Sequence, residues 1–91
     1  MFNPVHPGEV IREDVLSELE ISVAEASRRL GVSRVALSRV LHAHAAVTPA
    51  LAIRFEAAGV GTAKLWLDMQ TAYDLARARE AGQPVVEKLV G

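Results

Sequence analysis

Apolar residues recur along this chain every three or four positions, the spacing that gathers them on one side of an α-helix. Helix-starting Ser, Thr and Pro residues and helix-stopping glycines divide the pattern into five predicted helices. These cover 7 to about 19, two helices within 22–44, 49 to about 58, and 63 to about 80. Abundant alanine and few aromatic residues favour helix-on-helix packing over a sheet. The sequence therefore predicts an all-α, five-helix domain over residues 1–80 and a short tail over 81–91.

The stretch 22–44 contains two short helices joined by a turn at Gly31. Ser33 can cap the second helix, because its hydroxyl can accept a hydrogen bond from a free backbone N–H group. The second helix places four apolar residues on one side: Ala36, Leu37, Val40 and Leu41. Two helices that meet at a short turn containing glycine form a helix-turn-helix, whose second helix can enter the DNA major groove. The stretch therefore predicts a DNA-binding element.

Charge is distributed unevenly, although the net charge is only −1. Residues 1–21 hold one arginine against five carboxylates, a net −4, whereas residues 22–54 hold five arginines against one glutamate, a net +4. A positive region around the helix-turn-helix is expected of a local DNA footprint. A solvated helix face would explain the same charge equally well. The small total charge predicts weak non-specific binding and an affinity that depends on dimerisation.

Six residues are the candidates for contact with DNA: Ser33, Arg34, Val35, Ser38, Arg39 and His44. Ser33 lies at a helix N-terminus, where backbone N–H groups attract a phosphate. The two arginines can reach base edges and bind guanine through two hydrogen bonds, and the valine can meet a thymine methyl group. Ser38 and His44 suit phosphates. Arg28 and Arg29 are weaker candidates, because one of them can pair with the glutamate one turn earlier.

The last helix and the tail are alternative dimer interfaces. The helix carries a broad apolar stripe that one small domain has difficulty covering: Leu65, Trp66, Met69, Ala72, Tyr73 and Ala76. A helix that closes the core would show the same stripe. The valine-rich tail suits an extended segment that pairs with a partner. The interface is therefore open between the Trp66–Tyr73 helix face and the Val85–Val90 tail.

Several classes of protein fit this sequence poorly. No apolar run approaches the roughly 18–20 residues that span a bilayer, and the first ten residues lack the pattern of a signal peptide. Cysteine is absent, and the sequence shows no catalytic motif such as a nucleophile elbow. His42 and His44 are two positions apart, which points them in different directions on a helix. We therefore expect a cytoplasmic protein without membrane association, enzymatic activity, metal or cofactor.

Five pieces of the chain carry a resemblance to a known family. They are His6–Val10, Leu30–Arg34, Leu37–Leu41, Val47–Pro49 with Ala52–Arg54, and Leu65–Leu67 followed by Gln70–Leu75. In this order they resemble the HigA (VapI-type) antitoxins of bacterial toxin–antitoxin modules. Those antitoxins belong to the XRE family of lambda-repressor-like helix-turn-helix proteins. The resemblance covers roughly residues 5–80.

This resemblance implies a homodimer that represses its own operon through a palindromic operator in double-stranded DNA. It also implies a partner, a HigB-type toxin that cleaves mRNA on the ribosome and is neutralised by complex formation. Two alternatives stay open: a stand-alone XRE or phage-type repressor without a toxin, and a protein-interaction module that does not bind DNA. A short toxin-like reading frame beside the gene would separate the antitoxin from the stand-alone repressor.

The chain departs from the family just after the predicted recognition helix. Where relatives have residues like Asn-Gly-Lys, this chain has His42, Ala43 and His44. Loss of the glycine predicts loss of an easy left-handed helix terminus. Loss of the lysine removes a fixed positive charge near the phosphate backbone. Val35 also stands where a polar residue is common.

Overall fold

A computed structural model describes residues 3–91 and contains five helices, as the sequence predicts. Helix α1 spans residues 7–19 and includes a π-helical part, Ile11–Leu16. The other four are α2 (Val23–Leu30), α3 (Arg34–Leu41), α4 (Pro49–Ala57) and α5 (Ala63–Glu80). No strand occurs within 3–91, so the all-α fold is confirmed and the tail forms no strand within this protomer. None of the helices described is long and apolar enough to span a membrane.

A side chain caps the start of every helix. His6, Ser22, Ser33, Thr48 and Thr62 each accept a hydrogen bond from a backbone N–H group in the first turn that follows. Proline opens α1 and α4, where a missing N–H group costs nothing. These interactions are local in sequence, which is why the helix starts could be predicted.

Four helices end on a residue in the left-handed conformation: Glu20, Gly31, Ala43 and Gly59. In each case the next backbone N–H group donates to the carbonyl group five residues earlier, at 2.8 to 3.1 Å. This arrangement satisfies carbonyl groups that a helix end leaves free. The left-handed terminus that the sequence predicted to be lost after α3 is therefore retained, on an alanine with φ of 61°.

The middle of α1 is wound more loosely than the sequence predicted. Ile11, Val15 and Leu19 recur every four residues, a spacing that predicts one continuous apolar face. The π-helical turn keeps Ile11 fully buried and Val15 half-buried, but Leu19 is 57% exposed. The apolar face of α1 thus ends one turn earlier than predicted.

The core is a single cluster of apolar side chains from all five helices and the connection before α4. Its buried members are Ile11, Ala26, Leu30, Leu37, Val40, Leu41, Val47, Leu51, Ala52, Phe55 and Trp66. The rings of Phe55 and Trp66 meet edge-on with their centres 6.4 Å apart. Ala36 was predicted on the core side of α3, and the helical spacing from Leu51 and Phe55 predicts the same for Ala58 in the next helix. Both alanines are exposed instead. On α5, Trp66 is buried, whereas Leu65 and Ala72 lie in solvent.

Candidate nucleic-acid interface

The turn between α2 and α3 is built by local interactions. Gly31 has a φ of 71°, a conformation that costs glycine little. Two residues later the Ser33 hydroxyl accepts a hydrogen bond from the N–H group of Ala36 at 3.1 Å. The chain thereby leaves α2 and starts α3 within three residues. This confirms the predicted helix-turn-helix.

Helix α3 packs one side on the core and leaves the other in solvent. Leu37, Val40 and Leu41 are buried. At about 100° per residue, positions 34, 35, 38 and 39 fall on the other side within a sector of about 140°. Val35 is 71% exposed there, although its side chain is apolar. The exposed sector is the surface that a recognition helix presents to DNA.

The six predicted contact residues lie at or beside this exposed sector. Arg34, Val35 and Arg39 are exposed on α3, and Ser38 is half-buried. Ser33 is exposed at the N-terminus of the helix, and His44 is exposed just beyond its C-terminus. The structure thus brings five of them onto one short helix and its cap, with His44 at the opposite end.

Intramolecular contacts separate the five arginines of the positive stretch. Arg28 and Arg29 both hydrogen-bond to the Glu25 carboxylate, which lowers the pKa of Glu25 to about 2. The sequence predicted that one of the two arginines can pair with Glu25, and both of them do. These two guanidinium groups belong to a surface ion cluster on α2.

The remaining three arginines differ in their hydrogen bonds within the protein. The Arg54 Nη1 group donates to the Leu30 carbonyl at 2.8 Å, and the Arg39 Nη2 group donates to the His44 carbonyl at 3.1 Å. Arg34 makes no side-chain hydrogen bond or ion pair within residues 3–91. Its guanidinium group can therefore reach a phosphate or a base without breaking a contact of the protein.

Arg54 makes a structural contact that the pattern of the sequence did not reveal. It lies on α4, yet its guanidinium group binds the last carbonyl of α2, 24 residues earlier. A Cβ atom on Gly31 would come within 2.9 Å of this group. Arg54 therefore braces the turn of the helix-turn-helix from α4.

His6 helps to hold the connection between α3 and α4 in place. Its ring is buried, and Nδ1 accepts a hydrogen bond from the Gly8 N–H group at 2.9 Å. Burial lowers the pKa of His6 and outweighs its hydrogen bond to the backbone of Ala45, which acts in the opposite direction. The edge of this ring meets Tyr73 of α5 with centres 5.0 Å apart. His6, just before the first predicted helix, thus joins α1, α5 and the connection between α3 and α4.

A second buried polar contact joins the same connection to α5. The side-chain carbonyl of Gln70 accepts a hydrogen bond from the Val47 N–H group at 2.8 Å, and its amide donates to Asp74. Gln70 was not among the residues that the apolar stripe of α5 singled out. Together with His6 it fixes the position of α3 relative to α5.

The part of the chain that the structure describes holds no cluster of metal ligands. Within residues 3–91 no group of three His, Cys, Asp or Glu side chains is arranged to hold an ion. His42 turns back on its own helix, where Nδ1 lies 2.9 Å from the Ser38 carbonyl.

Fold and surface together define a class of protein: a helical domain whose helix-turn-helix presents its second helix to solvent. No protein-family model matches the chain. It is 33% identical over 81 residues to virulence-associated protein I of Dichelobacter nodosus, which covers 89% of this chain and 75% of that protein. It is 35% identical over 80 residues to the HTH-type transcriptional regulator YddM of Escherichia coli K12, covering 88% and 84%.

A solved structure extends this similarity to the fold. The antitoxin HigA of Pseudomonas aeruginosa, in a structure with the higBA promoter, superimposes with a TM-score of 0.86 at 30% identity. The superposition covers 97% of this chain and 100% of that one. The chain therefore belongs to the HigA-type family of helix-turn-helix antitoxins and transcriptional regulators.

Proposed function

We propose that this chain is a sequence-specific DNA-binding antitoxin that represses its own operon. In this proposal a homodimer binds a palindromic operator, each protomer placing α3 in the major groove. The same protein neutralises a HigB-type toxin, an mRNA endoribonuclease, by complex formation. The domain over residues 1–80 carries these activities in the cytoplasm, and the chain has no enzymatic activity of its own.

One observation carries the DNA-binding half of the proposal: the solvent-facing sector of α3. It combines a free Arg34, an exposed Val35 and a capped N-terminus, which are the donors and apolar contact that base readout uses. The similar HigA of Pseudomonas aeruginosa is known with its promoter, which supports the same role here.

Titration of the DNA upstream of the gene, with a scrambled duplex beside it, tests this half. Arg34→Ala is expected to weaken specific binding by about 1–3 kcal/mol, because a bidentate contact to a base is lost. Arg39→Ala is expected to act in the same range, less the energy of its contact with the His44 carbonyl. Arg79→Ala, which removes an exposed arginine at the end of α5, is the control. An equal loss on both duplexes would make Arg39 a backbone contact only.

Membership of an antitoxin family supports the toxin-binding half. Co-expression with the protein encoded by the neighbouring reading frame tests it, with growth rescue and co-purification as the two readouts. Rescue and a stable complex are expected. If neither occurs while the upstream DNA is bound, the chain is a stand-alone repressor.

The surface of the protomer supports the tail as the dimer interface. Trp66 packs inside the protomer, and Tyr73 is half-buried beside His6, so part of the Trp66–Tyr73 face is already used within the protomer. Val85 and Leu89 of the tail are instead fully exposed. Val86→Asp is expected to convert dimer to monomer in a mass measurement in solution. An unchanged dimer would exclude the tail.

A further inference from the structure

An apolar pocket lies between the proposed recognition helix α3 and helix α4. Its volume is about 360 Å³, within the range of pockets that bind small molecules. The buried side chains of Leu37, Val40 and Leu51 form its floor. We call it the α3–α4 pocket.

The pocket exists because small side chains surround it. Four alanines line it where the two helices and their connection meet: Ala36, Ala45, Ala46 and Ala50. Longer apolar side chains at these positions would fill the space, as they do in a close-packed core. With alanine there, the apolar floor can be reached from the surface. A ligand with an apolar body can cover it and remove that surface from water.

Two arginines give the pocket its charge. Arg39 comes from α3 and Arg54 from α4. Each guanidinium group donates one hydrogen bond to a backbone carbonyl group, although it has five N–H donors. Neither arginine forms an ion pair within residues 3–91, and none of the described residues that line the pocket is an aspartate or a glutamate. Their positive charge and remaining donors are therefore available to an anion.

A second apolar cleft of this protein lacks this combination. It lies between α1, α2 and α4, has a volume of about 120 Å³, and is lined by one arginine, Arg29. The Arg29 guanidinium group is already paired with Glu25 at 2.7 Å. The α3–α4 pocket differs in size and in having unpaired positive charge, so it is the better site for an anion with an apolar body.

We propose that the α3–α4 pocket binds a small amphipathic carboxylate, a molecule with one carboxylate group and an apolar body the size of a medium-length alkyl chain. The apolar body covers Leu37, Val40 and Leu51. The carboxylate accepts charge-assisted hydrogen bonds from Arg39 and Arg54, and such bonds are stronger than those between neutral groups.

The ligand also weakens operator binding, a step that rests on the proposed DNA-binding function. Arg39 is one of the proposed DNA contacts, and a ligand that holds its side chain at the pocket prevents it from turning to a base. The bound carboxylate also removes positive charge beside α3, which reduces the attraction to phosphates. Since coupling between two binding sites is reciprocal, operator DNA weakens the binding of the ligand by the same factor.

Calorimetric titration of the purified protein with octanoate tests the site, with octanol as the uncharged probe. Octanoate is expected to bind with a Kd of about 1 mM or below, a modest affinity that suits so small a ligand. Octanol is expected to bind at least about threefold more weakly, because it cannot form the charge-assisted hydrogen bonds. Absence of octanoate binding, or octanol binding that is equal or tighter, overturns the proposal.

A variant that fills the pocket locates the octanoate. Ala50→Leu is expected to raise the Kd for octanoate at least about tenfold, because the added side chain takes the space of the ligand. Ala57→Leu is the matched control, since it makes the same change at an exposed alanine of α4 that does not line the pocket. Equal Kd values for the two variants overturn the site. If circular dichroism shows that Ala50→Leu does not fold, Ala46→Leu replaces it with the same expectation.

Titration of the upstream DNA with and without saturating octanoate tests the coupling. Octanoate is expected to lower the operator affinity of the unaltered chain and of Ala57→Leu by about fivefold, and to leave that of Ala50→Leu unchanged. Octanoate binding without any change in operator affinity overturns the coupling. No operator binding in the absence of octanoate overturns the proposed DNA-binding function, whereas the octanoate titration still decides the site. If Ala50→Leu alone loses operator binding or changes the dimer mass without octanoate, the pocket belongs to the DNA or to a second copy, and the proposal is wrong.

Discussion

The two helices of the helix-turn-helix end in the same backbone conformation but on different residues. Helix α2 ends at Gly31 with φ of 71°, and α3 ends at Ala43 with φ of 61°. At both ends the next N–H group binds the carbonyl five residues back. Glycine adopts this conformation freely, whereas a residue with a Cβ atom is disfavoured there by roughly 1–2 kcal/mol. The turn is therefore relaxed, and the end of the recognition helix is strained.

An arginine also braces each of these two ends, from different places. Arg54 reaches the α2 terminus from α4, so a neighbouring helix holds the turn. Arg39 reaches the His44 carbonyl from within α3 itself. If Arg39 turns to a base, it must release that carbonyl. The strained end is thus coupled to the proposed DNA contact, and the relaxed turn is not.

The largest expected effect comes from adding a side chain to the relaxed turn. Gly31→Ala would place a methyl group 2.9 Å from Arg54 Nη1 in a left-handed conformation. We expect a loss of about 2 kcal/mol in the free energy of unfolding, measured by urea denaturation. Gly59→Ala has the same backbone penalty but nothing within 4 Å, so the difference between the two isolates the Arg54 contact. Equal losses would show that the new methyl group displaces Arg54 without cost.

Removal of the brace itself is expected to cost less. Arg54→Met keeps the aliphatic part of the side chain but leaves the Leu30 carbonyl without its partner. Because the side chain is partly exposed, we expect a loss of about 1 kcal/mol rather than the full value of a buried charged hydrogen bond. Arg79→Met at the end of α5 is the control and should be neutral. If both variants have the same stability, the contact contributes nothing.

Relief of strain at the other end should stabilise the protein. Ala43→Gly is expected to raise the free energy of unfolding by about 0.5–1 kcal/mol, the backbone relief less the greater flexibility of glycine in the unfolded chain. Ala46→Gly, nearby and without a positive φ, should lower it. Denaturation of the two variants side by side checks the opposite signs. A loss in both would mean that Ala43 is not strained.

The features that the sequence predicted depend on interactions between residues close together in the chain. The features that it did not predict depend on contacts between residues far apart in the chain. Ser33, Thr48 and Thr62 cap amides three residues away, so the helix starts followed from short motifs. Arg54 binds a carbonyl 24 residues away, a contact that no local pattern indicates. Ala43 gave no sign of a left-handed terminus, because alanine normally prefers the helix itself.

The candidate site shows the same division. Helical periodicity correctly predicted that Arg34, Val35 and Arg39 lie on the exposed side of α3. Some of the arginines already make contacts within the protein. These contacts depend on residues that only the fold brings close to them. Among them, the contact of Arg39 with the His44 carbonyl closes over a turn whose conformation was not predicted.

Acid is expected to weaken the strained end of α3 at Ala43 before it weakens the relaxed turn at Gly31. This is the smallest of the expected effects. His6 holds the connection after α3 through its contact with the backbone of Ala45, and burial lowers the pKa of its ring. Since the unfolded chain takes up this proton at a higher pH than the folded one, the contribution to stability is complete above about pH 6.5. It is lost as the pH falls toward the lowered pKa of the folded state. Protonation of Nδ1 would also remove the hydrogen bond that it accepts from the Gly8 N–H group, because both groups would then carry a hydrogen.

Amide hydrogen exchange at about pH 7.5 and pH 5.5, corrected for the intrinsic rates, measures this difference. The protection of His44 should fall in acid while that of Val32, at the turn, falls less. His6→Asn keeps a capping oxygen and removes the titration, so the acid response of His44 should flatten in that variant. If His44 loses protection in acid equally with asparagine at position 6, the joint around His6 does not control the end of the recognition helix.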